Sequence, residues 1–137
     1  MRLGALILAA LTACAGCGGS GSPFDYIPVS GRLTYEDGAP IPASGMRVTF
    51  SVQDVPPKDG AYPRPAEATV DGQGNFENVT SYKYGDGLIP GKHKVAIYYA
   101  TDANGKLLIP KDYSHASTTP LVISTDQLPL EIKVPRP

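Results

Sequence analysis

Apolar and polar residues alternate one by one in short stretches along most of this 137-residue chain. Because successive side chains of a β-strand point to opposite faces, such alternation is typical of strands with one buried face. Glycine, proline, asparagine and aspartate, which favour turns, separate the stretches. The pattern therefore predicts seven strands, which lie within residues 29–35, 46–52, 66–70, 75–79, 93–99, 121–125 and 128–134.

The composition points to the same fold class. The chain has 15 glycines and 14 prolines, which destabilise helices, and its body has no helical periodicity. Short strands at near-regular spacing predict an all-β domain, a seven-stranded Greek-key β-sandwich over residues 27–137. We expect residues 71–74 (DGQG) to form a hairpin between the third and fourth strands. The fifth strand should point Val95, Ile97 and Tyr99 to one face.

The first residues have the organisation of a secretory signal. Arg2 precedes a nine-residue apolar run, residues 3–11, which is too short to cross a bilayer, since a spanning helix needs about 20 residues. Residues 11–14 (LTAC) resemble the lipobox of bacterial lipoprotein signals. We therefore expect residues 1–13 to be a cleaved signal peptide and Cys14 to carry the lipid that anchors the protein to a membrane.

Cys17 is the alternative lipidation site. Small residues precede it, but Cys14 occupies the position at which a lipobox has leucine. Residues 14–26 are expected to be the lipidated N-terminus and a Gly/Ser-rich linker. Aspartate follows neither cysteine, and by resemblance to lipoprotein sorting signals this predicts attachment to the outer membrane, at its periplasmic or surface face.

Charge and metal-ligand spacing argue against several classes of function. The formal net charge is −1 and the basic residues are dispersed, so we expect no nucleic-acid binding. The chain has two histidines and no zinc-binding motif, and its loop aspartates lack the EF-hand spacing. We therefore expect no metal and no cofactor, with Asp71 and Asp86 as the alternative candidates for calcium.

Enzymatic activity is not expected either. Ser114 and His115 are neighbours in sequence, but a nucleophile and its base meet in space rather than by adjacency. His93 has the strand parity of Val95 and Ile97, which predicts a partly buried histidine at the start of a strand.

Tyrosines supply the candidate ligand-binding residues. The chain has eight tyrosines and no tryptophan, and aromatic faces can stack on sugars. Tyr82, Tyr84 and Tyr98 are the candidates, with the loops at residues 54–65 and 82–91 as the binding surface. Tyr98 and Tyr99 should point to opposite faces, so at most one of them can join an exposed platform. Structural roles in strands are the alternative for all of them.

Seven short motifs follow one another along the body: residues 29–34 (VSGRLT), 37–41 (DGAPI), 48–50 (VTF), 71–76 (DGQGNF), 89–95 (IPGKHKV), 109–113 (IPKDY) and 119–121 (TPL). Together they resemble the carboxypeptidase regulatory-like, transthyretin-like domain, and in particular the small envelope lipoproteins of planctomycete type. The resemblance covers residues 27–134 and implies a transthyretin-like β-sandwich. It implies no catalysis, because in carboxypeptidases this domain accompanies the catalytic domain and carries none of its chemistry.

These features together predict a membrane-anchored envelope lipoprotein whose domain is a non-enzymatic structural or protein-interaction module. The alternative is a glycan- or small-ligand-binding module on the cell surface. The expected partners are the membrane, through the N-terminal lipid, and an envelope protein or a glycan.

Overall fold

The computed structural model describes residues 21–137, which form two β-sheets around one hydrophobic core. A three-stranded sheet and a four-stranded sheet together contain seven strands, so the all-β class and the number of strands expected from the sequence are confirmed. The strands are β1 (Gly31–Tyr35), β2 (Arg47–Val52), β3 (Ala66–Thr69), β4 (Asn75–Phe76), β5 (Lys92–Tyr98), β6 (Val122–Ser124) and β7 (Leu130–Val134). Their order is β4-β1-β7 in the smaller sheet and β3-β2-β5-β6 in the larger one.

The core is built from the inward faces of both sheets. In β2, Val48 and Phe50 are fully buried, whereas Arg47 is exposed, as the period of two requires. Burying a side chain of this size contributes about 1.5–3 kcal/mol. The other large side chains of the core are Leu33, Ile41, Met46, Val79, Leu88, Val95, Ile97, Ile109, Ile132 and Val134.

The pairing of β1 with β7 joins distant parts of the chain. The two strands are parallel, with Gly31 opposite Leu130 and Tyr35 opposite Val134. On its other side, β1 pairs with the two residues of β4 only. The larger sheet is antiparallel throughout, and its central pair, β2 with β5, runs from Arg47 opposite Tyr98 to Val52 opposite His93.

The hairpin expected at residues 71–74 is wrong. The turn itself forms, because the Asp71 carboxylate accepts hydrogen bonds from the N–H groups of Gln73 and Asn75, each at 2.9 Å. However, β3 pairs with β2 in the larger sheet and β4 pairs with β1 in the smaller one. The turn carries the chain from one sheet to the other, because turn chemistry specifies a reversal and not the partner of the next strand.

The position expected for Tyr99 is also wrong. β5 ends at Tyr98, and Tyr99 has a φ of 61°, in the left-handed region. This backbone conformation breaks the alternation of the strand, and the side chain is 65% exposed instead of packing beside Val95 and Ile97.

A single turn of 3-10 helix, Lys111–Ser114, lies between β5 and β6 and contacts β5. The sequence predicted no helix in this connection, which is wrong for these four residues. Such turns are common as connectors, and Pro110, at the N-cap, has an extended φ and ψ of −59° and 142°. Among the residues that the structure describes, no helix is long and apolar enough to cross a membrane.

Candidate functional site

The most organised surface segment near the candidate tyrosines comprises residues 80–87, here called the Tyr84 loop. Its centre is the carboxylate of Asp86, which accepts hydrogen bonds from three consecutive backbone N–H groups, those of residues 81–83. The distances are 2.8, 3.0 and 2.7 Å. Because an ionised acceptor makes stronger hydrogen bonds than a neutral one, this single side chain fixes the conformation of half the loop.

Side-chain hydroxyls close the same loop. The Ser81 hydroxyl donates to the carbonyl of Gly87 at 2.6 Å, and the Gly85 N–H donates to the hydroxyl of Thr80 at 2.9 Å. The Gly87 N–H donates to the Val79 carbonyl at 2.8 Å. The loop is therefore held by its own side chains, as compact surface loops are.

The end of the Tyr84 loop rests directly on the segment that enters the domain. Ile27 and Leu88 exchange two backbone hydrogen bonds of 2.9 Å. Gly87 has a φ of 99°, and a Cβ atom placed on it would lie 1.7 Å from the Ile27 carbonyl oxygen. Only glycine permits this approach, so Gly87 couples the loop to the point where the linker joins the sandwich.

Tyr84 projects from this fixed loop into solvent. Its side chain is 82% exposed and lines a surface cleft of about 880 Å³. The cleft also borders β1, β3 and β4, and its wall is rich in charged side chains. These are Arg32, Arg47, Glu67, Asp71, Glu77 and Glu131.

The charges of the cleft are unequal. Arg47 lies 3.5 Å from the Glu67 carboxylate, and both side chains are about half exposed, so the pair contributes at most about 1 kcal/mol to stability. Two arginines face four carboxylates, which leaves a formal excess of negative charge. The cleft therefore favours neutral or cationic ligands over anionic ones.

The three candidate tyrosines do not form one platform. The Arg64 guanidinium lies 5.0 Å from the centre of the Tyr82 ring, a cation–π contact that joins the loop before β3 to the Tyr84 loop. Tyr98 lies opposite Arg47, which in turn lies opposite Thr69 at the far end of β3. At about 3.3 Å per residue, Thr69 is roughly 16 Å along the chain from Arg64. Of the three tyrosines, Tyr84 alone lines the cleft.

The histidine and serine candidates for chemistry are engaged in local structure. His93 is 2% exposed, and its Nε2 lies 2.8 Å from the Ile89 carbonyl oxygen. The expectation of a histidine buried at the start of a strand is confirmed, and burial lowers the pKa of its imidazole. The Ser114 hydroxyl donates to the Lys111 carbonyl at 2.6 Å, within the 3-10 turn.

The two aspartates considered for calcium are organisers of loops. Asp71 and Asp86 accept backbone N–H groups of their own turns, which directs their oxygens towards those donors. Within residues 21–137, no group of three or more His, Cys, Asp or Glu side chains is arranged to hold a metal ion. Sequence reasoning missed the role of Asp86, although aspartate accepting nearby N–H groups is a general signal of such turns.

Cys14, Cys17 and the expected signal peptide lie outside the described residues. The part of the chain that the structure describes is thus an all-β domain of two sheets, with a fixed, tyrosine-bearing loop beside a polar cleft. No family model, curated protein or solved structure matches this chain.

Proposed function

We propose that this chain is an exported lipoprotein, anchored in the cell envelope by a lipid on Cys14, with Cys17 as the alternative. The observation that carries the proposal is the LTAC motif at residues 11–14, directly after a short apolar run. The membrane concerned is the outer membrane, at its periplasmic or surface face. The linker of residues 14–26 ends beside Ile27, whose backbone pairs with Leu88 of the sandwich, so the anchor has a firm attachment to the domain.

The domain itself is proposed to be a Greek-key sandwich of the carboxypeptidase regulatory-like, transthyretin-like family. Two observations support this topology. The connections from β3 to β4 and from β6 to β7 both pass between the sheets, and the first and last strands are parallel neighbours. The motifs that carry the family resemblance coincide with turns and strand starts, such as the Asp71 turn between the sheets and the Gly91 entry into β5.

The proposed role is that of a non-enzymatic structural or protein-interaction module. Ser114 and His93, the reactive side chains that sequence reasoning considered, make hydrogen bonds to backbone carbonyls of their own segments. Tyr84, by contrast, is fixed in place and exposed. The cleft beside Tyr84 favours a second candidate function, the binding of a glycan or small ligand, because binding sites combine an aromatic surface with a few fixed polar groups.

Mass spectrometry of the protein isolated from membranes tests the anchor. We expect a mature N-terminus at Cys14 with a covalent lipid and the loss of residues 1–13. Replacing Cys14 by alanine should abolish processing, whereas Cys17→Ala should leave it unchanged. An unmodified chain would refute the lipoprotein proposal, and lipid on Cys17 would move the site.

Affinity capture from detergent-solubilised envelope tests the interaction module. The native protein should retain a reproducible envelope protein that Tyr84→Ala, folded to the same melting temperature, fails to retain. Retention of the same proteins by both forms would count against an interaction at this surface.

A further inference from the structure

The exposure of Tyr84 is a costly feature for a loop so well ordered. The side chain is 82% exposed, the highest value among the exposed large hydrophobic residues of the described chain. Tyrosine normally gains free energy by burying its ring, and a loose loop could fold it back onto the surface. Here the Asp86 carboxylate and the Thr80 hydroxyl hold the backbone on both sides of Tyr84. The ring is therefore preorganised for a contact outside the domain.

The groups beside the ring suit polyhydroxylated ligands. Asn78 packs against the Tyr84 loop, since a Cβ atom on Gly85 would lie 3.5 Å from its Oδ1. Its amide lines the cleft together with Asn75 and the paired side chains of Arg47 and Glu67. Carboxamide, carboxylate and guanidinium groups each offer two or more hydrogen-bonding atoms in a plane, which match neighbouring hydroxyls on a sugar. The C–H groups of a sugar face complement the electron-rich face of an aromatic ring.

The charge of the cleft narrows the class of ligand. Arg47 is already paired with Glu67, and Glu77 and Glu131 add further carboxylates to the wall. An acidic polysaccharide or an anionic lipid surface would be repelled by these groups. A neutral glycan avoids this repulsion and can use the same carboxylates as hydrogen-bond acceptors.

We propose that the cleft beside Tyr84 binds a neutral glycan, with the Tyr84 ring stacked on one sugar face and the polar wall bound to its hydroxyls. This inference rests on the proposed role of the domain as an interaction module and names the chemical class of its partner. The fixed Tyr84 loop supplies the specificity, because it sets the distance between the ring and the polar groups.

Isothermal titration of the full-length protein in detergent micelles tests the proposal. The probes are cellohexaose, chitohexaose and mannohexaose, which are neutral, and hexagalacturonate, which is acidic. We expect at least one neutral hexasaccharide to bind and hexagalacturonate not to bind. Tyr84→Ala should weaken that binding about tenfold or more, the effect of removing a central aromatic contact, whereas Tyr84→Phe should retain it.

Tyr62→Ala is the matched control. Tyr62 is 76% exposed, close to the value for Tyr84, but it does not line the cleft. We expect its replacement to leave glycan affinity unchanged. Equal losses in the two alanine variants, full affinity in Tyr84→Ala, preference for hexagalacturonate, or no binding to any neutral probe would each overturn the proposal.

The outcome separates this proposal from the function on which it rests. If the neutral probes fail but an envelope protein is captured in a Tyr84-dependent manner, the interaction module stands and the glycan is refuted. The lipid anchor is judged separately by the mass of the mature N-terminus, which does not depend on any ligand.

Discussion

Gly87→Ala should destabilise the domain more than any other glycine-to-alanine change in an exposed loop. The φ of 99° costs an alanine about 1 kcal/mol or more, since the left-handed region is unfavourable for residues with a Cβ. The new Cβ would also lie 1.7 Å from the Ile27 carbonyl oxygen, so the two strands of chain must separate. Separation breaks both Ile27–Leu88 hydrogen bonds, at about 1 kcal/mol each. The total is about 3 kcal/mol.

Gly60→Ala provides the control. Gly60 has a φ of 76°, and no atom lies within 4 Å of the position of its Cβ. It should therefore cost only the backbone term, about 1 kcal/mol. For a domain of this size, about 4 °C of melting temperature is lost per kcal/mol. We expect losses of about 12 °C for Gly87→Ala and about 4 °C for Gly60→Ala by circular dichroism. Equal losses would refute the steric argument.

Three further predictions concern burial and the Tyr84 loop. Because burial holds the folded pKa of His93 below its ordinary value of 6.5, the unfolded chain binds an extra proton as the pH falls below 6.5. The free energy of unfolding, measured in urea, should therefore decrease between pH 7 and 5.5, by up to about 1.4 kcal/mol per pH unit from this group, and His93→Leu should flatten the slope. Asp86→Asn should weaken the hydrogen bonds that fix the loop, with a cost of about 1–2 kcal/mol and faster amide hydrogen exchange at residues 81–83. Phe50→Ala should lower the free energy of unfolding by about 3–5 kcal/mol, because it leaves a cavity between fully buried neighbours.

Each of these changes has an exposed counterpart in the chain. His115→Leu, Asp126→Asn and Val122→Ala remove the same kinds of group from exposed positions. They should leave the pH slope, the loop exchange rates and the stability nearly unchanged, since surface substitutions typically cost less than about 0.5 kcal/mol. Matching effects in a pair would contradict the role given to the buried or loop residue of that pair.

The strands could be predicted from the sequence because alternation directly reflects which face is buried. Val48 and Phe50 are buried and Arg47 is exposed, as their positions in the pattern predicted. The partner of β4 could not be predicted in this way. With only two residues, this strand has no pattern that distinguishes one sheet from the other, and its place follows from long-range packing of Phe76 against the core.

The candidate site was predictable in part. An aromatic residue in a glycine-containing loop identified Tyr84, but its exposure depends on how the Asp86 carboxylate folds the loop. Grouping Tyr98 with Tyr84 required knowledge of register, because Tyr98 lies opposite Arg47 across a pair of strands far apart in sequence. The same limit applies to Tyr99, whose left-handed φ nothing in the alternation indicated.

The parallel pairing of β1 with β7 determines when the domain can fold. Gly31 lies opposite Leu130, ninety-nine positions later in the chain. A nascent chain that emerges N-terminus first can form β2 with β3 early, but its first strand finds its long neighbour only after nearly the whole domain has been synthesised. Until then the chain remains extended enough to be threaded through a narrow channel. For a protein proposed to cross a membrane before it matures, late closure of the sheet keeps the chain competent for translocation.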